Sequence, residues 1–436
     1  MERRRWARGV GAAALLGALL SSARPASAIG SVESDDGEQS LDAIGSARLT
    51  AGFFHFREGP EPFAADDDGV VSAVLRLILT GSLAEQVGYE VNLYSDLSRV
   101  PTSLTGGSFA TASAFEGATP YRTKYLSWQY WERGSVQGSM GVDRLRVDLD
   151  VAPVLLSVGR FPVNYSVTHI FAPNDFFAPF SATAINTIYK PGVDAQRLLI
   201  GLGELSGIEA VQVLGYDDEG RAKWSKSAAL GRASTVLWDF EWALLGGKLA
   251  ERWVGGGSLQ GELGPIGLRA EGHVGVSDGD GDGELDDGDR GRDEVHGRVA
   301  AGLDVPFEWH NANIAAEYSF VSDGAGDPAD YLGRAGRWYP DDQPFLGRHY
   351  VGASVRGEII PILLGSVMGL VNVEDGSGLA AVSLLYSVAD EADLVAGVQL
   401  PWGPRPVADS SELGATPESE MGLWPLAAYA ESRIYF

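Results

Sequence analysis

The sequence of 436 residues contains no cysteine, which excludes a disulfide framework, a thiolate metal centre and a cysteine-borne lipid anchor. Histidine is scarce as well: His55, His169, His273, His296, His310 and His349 are scattered, with no pair at metal-binding spacing. No convincing Gly-x-Ser-x-Gly nucleophile motif appears, and no phosphate-cradling glycine loop leads from a strand into a helix. The chain is therefore expected not to be an enzyme. Positive charge is in deficit, with 33 Lys and Arg against 59 Asp and Glu and a net charge of −26. That balance argues against nucleic acid and anionic phosphate surfaces as partners. Past Ala28 no uninterrupted apolar run reaches the roughly 20 residues that a helical membrane span needs, so any membrane residence must use strands.

What is present begins with a basic head (Arg3, Arg4, Arg5, Arg8), an apolar stretch from Val10 to Leu20 and the small-residue site Ala26-Ser27-Ala28. This is the pattern of a secretory signal peptide over residues 1–28, cleaved after Ala28. Its removal, with five Arg and one Glu, leaves a net charge of −30. Residues 29–45, "IGSVESDDGEQSLDAIG", read as a short acidic lead-in, and 46–436 as one further unit. Glycine is abundant at 57 residues, and 11 Trp accompany 15 Tyr.

Period two dominates that unit. In "DRLRVDLDV", Leu145, Val147, Leu149 and Val151 oppose Arg144, Arg146, Asp148 and Asp150. In "IGLRAEGHVGV", Ile266, Leu268, Ala270, Val274 and Val276 oppose Arg269, Glu271 and His273. "NANIAAEYSF" and "QVGYEVNLYS" split the same way, and a helical period would mix these sets. Tight turns (83–86, 264–265, 389–392) alternate with long acidic loops (97–121, 277–293, 323–348, 402–421). One short-turn end and one long-loop end are the mark of a bacterial transmembrane barrel. The expected fold class is all-β: a transmembrane antiparallel β-barrel in the bacterial outer membrane, in contact with its lipid. Nineteen candidate strands run from 46–56 to 424–436. Barrels of this class carry even numbers, so sixteen or eighteen strands are expected, with the error between 97 and 163, where the alternation of ends breaks.

The chain stops on "LAAYAESRIYF", with Ala428, Ala430, Ile434 and Phe436 on one face. This ending resembles the C-terminal signature of Gram-negative outer-membrane barrel proteins, which implies that Ile434 and Phe436 are read by the barrel-assembly machinery. A last strand that must pair with the first explains a chain ending in mid-strand. Trp128, Tyr130, Trp238, Trp242, Trp309, Trp402 and Trp424 lie in or beside strand ends, where amphipathic rings favour the lipid–water boundary.

Three segments carry candidate function. Residues 158–216 place a strand ending in Gly159-Arg160, an Asn174-Asp175 turn, a Phe/Pro-rich stretch and a return strand from Gly192-Val193-Asp194. The arrangement is similar to one in porin-like Gram-negative outer-membrane proteins; the resemblance covers about sixty residues and names a class without a substrate. Residues 164–191, with Phe171, Asn174, Asp175, Phe176, Phe177, Phe180, Tyr189 and Lys190, are too apolar to stand free in water. They tuck into the barrel as a constriction, pack outside it, or pack on a neighbouring subunit of a homo-oligomer. In "DGDGDGELDDGD", Asp278, Asp280, Asp282, Glu284, Asp286 and Asp289 follow the spacing of a calcium loop. A weak structural calcium site and a solvated acidic loop are both open. Finally, Arg144, Arg146, Arg160, Arg197, Arg269, Arg298 and Arg356, interleaved with Glu271 and Glu317, fall on inward positions and are expected to line a pore. The function expected is passive diffusion of small hydrophilic solutes through a charged, loop-narrowed lumen. The alternative is a closed or plugged barrel with a structural or adhesive role.

Overall fold

The computed structural model describes residues 29–35, 37–60, 63, 66–99, 120–179, 189–277, 295–335, 345–410 and 414–436. Residues 1–28, expected as a signal peptide, Phe180, and residues 278–289, expected as a calcium site or an acidic loop, lie outside the described residues. The strands are β1 (Gly30–Glu33), β2 (Ser40–His55), β3 (Asp68–Ala84), β4 (Val87–Arg99), β5 (Ser127–Arg133), β6 (Val136–Val151), β7 (Val154–Phe161), β8 (Val193–Gly201), β9 (Ser206–Val213), β10 (Ala228–Leu237) and β11 (Phe240–Leu249). They continue as β12 (Arg252–Leu263), β13 (Ile266–Ser277), β14 (Val295–Phe307), β15 (Ala312–Val321), β16 (His349–Ile360), β17 (Leu363–Asn372), β18 (Gly378–Ala389), β19 (Ala392–Trp402), β20 (Val407–Ala408), β21 (Ala415–Thr416) and β22 (Leu426–Tyr435). Among the described residues one short α-helix, α1 (Tyr331–Ala335), lies in the connection between β15 and β16.

Twenty strands share one sheet, and all the named pairings are antiparallel neighbours along it. Two of the twenty do not span. β1 pairs only with the start of β2, and β5 pairs only with the upper half of β6. The other eighteen form a closed barrel, because β22 joins β19 on one side and β2 on the other, from Ser46↔Tyr435 to His55↔Leu426. Closure leaves no free sheet edge, which is the condition for strands to cross a bilayer. β20 and β21 make a separate two-residue ribbon in the last loop.

The nineteenth candidate strand, 122–131, is β5. It has the composition of a strand, yet β4 pairs with β6 along one edge, from Val87↔Leu149 to Arg99↔Val136, and on the other edge β7 holds Leu145–Val151, so β5 covers only Val136–Gly141 and does not span. The acidic lead-in also needs correction: its residues 40–45 already belong to β2 and pair with β3, and 30–33 pair back on β2. β1 lies end to end with β22 along β2, since Phe436 bonds to Gly45 and Gly30 pairs with Ala43.

Alternation then sorts side chains. Leu145, Val147, Leu149 and Val151 are each 43–47% exposed, as are many leucines and valines on every other strand. In water such a belt would be an aggregation surface; around a barrel it is the outward apolar band that a transmembrane barrel requires. Trp128, Tyr130, Trp238, Trp242, Trp309 and Trp402 are exposed. Trp424 is not part of this set: it packs against two buried clusters at the loop end.

Candidate functional site: the inward loop and the charged lumen

β7 is only eight residues long because the chain leaves the wall at Phe161. Gly159 permits the exit, at φ +128, where a Cβ would meet the Leu145 carbonyl oxygen at 2.0 Å. Arg160 stands beside it, yet it does not line the lumen as its sequence position suggested. Its side chain is 1% exposed and sits in the wall, with Nε 2.6 Å and Nη2 3.0 Å from the Asp194 carboxylate. It also donates to the carbonyls of Val142 (2.8 Å) and Thr123 (3.2 Å). Asp194 in turn accepts from Thr123 N (2.7 Å) and the Tyr216 hydroxyl (3.0 Å). The pair closes the gap left where β7 departs, joining β6, β8 and the segment that leads into β5.

From Phe161 the chain crosses the barrel. Tyr165 donates to Glu209 on β9 at 2.9 Å. Ser166 Oγ (2.6 Å), Val167 N (2.6 Å) and Thr168 Oγ1 (2.7 Å) all donate to Glu271 on β13. His169 N (2.5 Å), Ile170 N (2.8 Å) and Phe171 N (3.0 Å) donate to Glu317 on β15. Asn174 reaches the Gly257 carbonyl on β12 at 3.1 Å. Far round the wall, Tyr189 lies 4.4 Å from the Arg76 guanidinium of β3, and Lys190 pairs with Asp175 of the outgoing limb. A segment that touches inward side chains of β3, β9, β13 and β15 passes through the lumen; packing outside the barrel is ruled out for its described residues. Phe171, Asn174, Asp175, Phe176 and Phe177 are buried, with Phe176 and Phe177 completing an apolar core against β8–β12.

Glu271 and Glu317 were expected to face open water. Instead each is 4% exposed and anchors the loop, because hydrogen bonds to a carboxylate are stronger than those to a neutral acceptor. Arg298 is also closed off, 6% exposed and paired with Asp323, which Arg334 shares at 3.3 Å. The remaining predicted side chains do reach the lumen. Arg144 and Arg146 flank Glu90 at 3.0 and 3.5 Å, and Arg146 also meets Asp148 at 2.9 Å. Arg197 lies over the Phe161 ring at 5.3 Å. Arg269 bridges Asp304 at 3.1 Å, and Arg356 is exposed on the inner side of β16, opposite Asn313.

Sequence reasoning missed several members. Arg48, Arg76 and Arg433 converge from β2, β3 and β22 with Tyr189 and Tyr435 around a small cavity, held by Glu431 and Asp143. Their strands alternate cleanly, so the period-two signal was there, but Arg76 sits alone in a run of valine and leucine. Below the loop, a cavity of about 440 Å³ is lined by Glu241, Gln260, Glu262, Arg269, Asp304 and Asn313 among others. A second, of about 240 Å³, takes in Tyr165, Arg197, Glu209 and Arg232 and shares Gln260 with it. Opposed basic and acidic walls set a transverse field across the path.

No protein-family model and no curated protein matches the sequence. Solved structures do match. OccK9 (OpdG) of Pseudomonas aeruginosa aligns with a TM-score of 0.54 at 11% identity, over 91% of this chain and 98% of that one. Acinetobacter baumannii OccAB2 gives 0.54 at 8% identity, over 91% and 98%. The chain has the fold of the outer-membrane porins. A third porin of this fold, Pseudomonas aeruginosa OccK2 (OpdF) solved in complex with glucuronate, gives 0.51 at 10% identity, over 91% and 98%. In the porin orientation the short turns are periplasmic and the loops that follow β2, β4, β7 and every second strand from β7 to β19 are extracellular. Both described chain ends then lie on the periplasmic side.

Proposed function

We propose that this porin-fold chain is an outer-membrane channel for passive diffusion of small hydrophilic solutes. One observation carries the proposal: the loop that crosses the lumen is fastened to the far wall by Glu271 and Glu317, while charged cavities persist beneath it. A plugged structural barrel would have no use for partly hydrated arginines along the path. Two of the lumen guanidiniums are more exposed than their carboxylate partners, Arg146 at 29% against Glu90 at 11% and Arg269 at 27% against Asp304 at 14%, while Arg232 is less exposed than Glu241. The field a solute meets there favours anions, and planar guanidiniums suit a carboxylate. The glucuronate bound by OccK2 makes a sugar acid the natural probe.

In a planar bilayer with a potassium chloride gradient, the detergent-purified protein should give steady single-channel steps and an anion-selective reversal potential. Millimolar glucuronate should reduce the chloride current. A folded but silent barrel, or a current indifferent to glucuronate and selective for potassium, would sink this proposal.

Ile434 and Phe436 serve assembly in the same proposal. Phe436 donates its N–H to the Gly45 carbonyl at 2.9 Å and lays its ring over Gly45 where a side chain would clash. Deleting Phe436 removes the last rung of the closing seam together with the outward aromatic end. The folded, heat-modifiable form in outer-membrane fractions should fall severalfold, with unassembled chain in the periplasm; unchanged yield would show that the residue is dispensable.

A further inference from the structure

Glu420 lies in the extracellular loop between β19 and β22 and is fully buried, at 0% exposure. Its carboxylate accepts from the Tyr350 hydroxyl (2.5 Å), Asn372 Nδ2 (2.7 Å) and Leu346 N (3.1 Å). Its own N–H donates to Asp375 at 2.8 Å. Asp375 also accepts from the Tyr331 hydroxyl at 2.7 Å and from Ser377 N at 2.7 Å, and Asn372 links the two acids, lying 3.0 Å from Tyr331 Oη. Four separate elements therefore meet at two carboxyl groups: α1 and its loop, β16, the β17–β18 turn and the last loop. No cation is among the bonded partners of either acid within the described residues. Among the described residues around the network, Arg57 of the β2–β3 loop donates to the Met421 carbonyl at 3.4 Å, and His349 and Glu374 lie 3.9 Å from each other.

The residue next to Glu420 faces the pore machinery. Met421 is buried in one cluster with Ile170 and Phe171, the tip of the inward loop, and with Phe345 and Tyr350. Phe171 lies 5.6 Å from the Phe345 ring and 6.3 Å from that of Tyr350, the same tyrosine that donates to Glu420. The far end of the constriction thus rests on a platform whose underside is the Glu420 network.

We propose that Glu420 is a positioning residue for the constriction: in its protonated form it holds the platform against the tip of the inward loop, and on ionising it lets both loosen. The inference rests on the channel proposed above. Burial pushes the Glu420 carboxyl up to about 7, with Asp375 adding to the rise and the three donors opposing it. The direction follows from linkage: the native state keeps a proton that the unfolded chain, with an ordinary carboxyl near 4.5, has lost. That contribution to stability is complete at low pH, declines as pH rises from about 4.5 and is gone above about 7.

Single-channel conductance should therefore step upward between pH 5 and 8, with a midpoint near neutrality. In E420Q, which carries no charge at any of these pH values, the step should vanish and the conductance stay at the low-pH level. In Y350F, which removes a donor to the carboxylate, the midpoint should move to higher pH. H169N, which removes the half-exposed imidazole of the inward loop, should leave the step in place. Hydrogen exchange at the amides of His169, Ile170 and Phe171, corrected for intrinsic rates, should lose protection over the same pH range in wild type and not in E420Q. A step that persists unchanged in E420Q, or one abolished by H169N alone, overturns the assignment. The exchange measurement does not need a conducting pore, so a silent barrel would count against the channel while leaving this coupling decided on its own.

Discussion

Replacing both Glu271 and Glu317 by alanine is expected to raise single-channel conductance severalfold and to weaken ion selectivity, while the barrel still folds. Six donors of residues 166–171 converge on these two side chains. A hydrogen bond to a charged acceptor contributes about 1.5–3 kcal/mol, and a buried N–H left without a partner costs about 1–3 kcal/mol more. Four of the six donors are backbone amides with no other means of pairing once the carboxylates go, so the segment must move to find water. The strand register does not depend on either side chain, since β13 and β15 remain paired with both neighbours through backbone bonds. Recording in planar bilayers tests this directly. Heat-modifiable mobility on gels reports separately whether the barrel has formed. Conductance equal to wild type in a folded double mutant would mean that the loop is held by its apolar packing alone. E317Q, which keeps an acceptor oxygen but not the charge, should fall between the two.

The largest loss of stability is expected from Arg160→Ala or Asp194→Ala. Removing one partner of a buried ion pair leaves the other charge without compensation, at a cost of about 3–5 kcal/mol. Here the loss would spread, because Asp194 also satisfies Thr123 N and the Tyr216 hydroxyl, and Arg160 satisfies two wall carbonyls. The double variant Arg160→Met/Asp194→Leu, apolar on both sides, should be markedly less damaged than either single change, since desolvation of two charges is avoided. Urea unfolding of the protein in detergent or lipid, followed by tryptophan fluorescence, would give the three midpoints. Single variants within a few tenths of a kcal/mol of wild type would show that water reaches this pair.

Much of the barrel was legible because its signal is local. "DRLRVDLDV" states which side faces lipid in nine consecutive residues, and the outward exposure of Leu145, Val147, Leu149 and Val151 follows from that alternation. The parity of short turns and long loops located the miscounted strand to the interval that contains β5. Composition could not expose the error itself. Ser127–Arg133 reads as a good strand and is one, but β4 takes one edge of β6 and β7 the lower part of the other, which leaves β5 only Val136–Gly141 to pair with.

The roles of individual charges were less legible, and for a physical reason. Arg146 and Arg160 look alike in sequence, each set in an alternating strand. One stands in the lumen and the other is sealed in the wall, because the chain leaves the sheet at Phe161 and a different segment covers the gap. Glu271 and Glu317 were read as pore-lining, and in the structure their carboxylates accept from the inward loop. Glu420 gave no signal at all: it is one acid in an acidic loop until Tyr350 and Asn372 enclose it.

Local alternation, turn placement and an aromatic end thus determined that this chain is an all-β barrel whose charged face is turned inward. Period two depends only on the pleat of a strand and is written into neighbouring residues. Only the tertiary structure decided which charges stay hydrated, what fastens the inward loop and where the loop ends. The partners concerned lie 103 to 148 residues apart along the chain, and no local pattern encodes contacts that exist only after the barrel has closed around the loop.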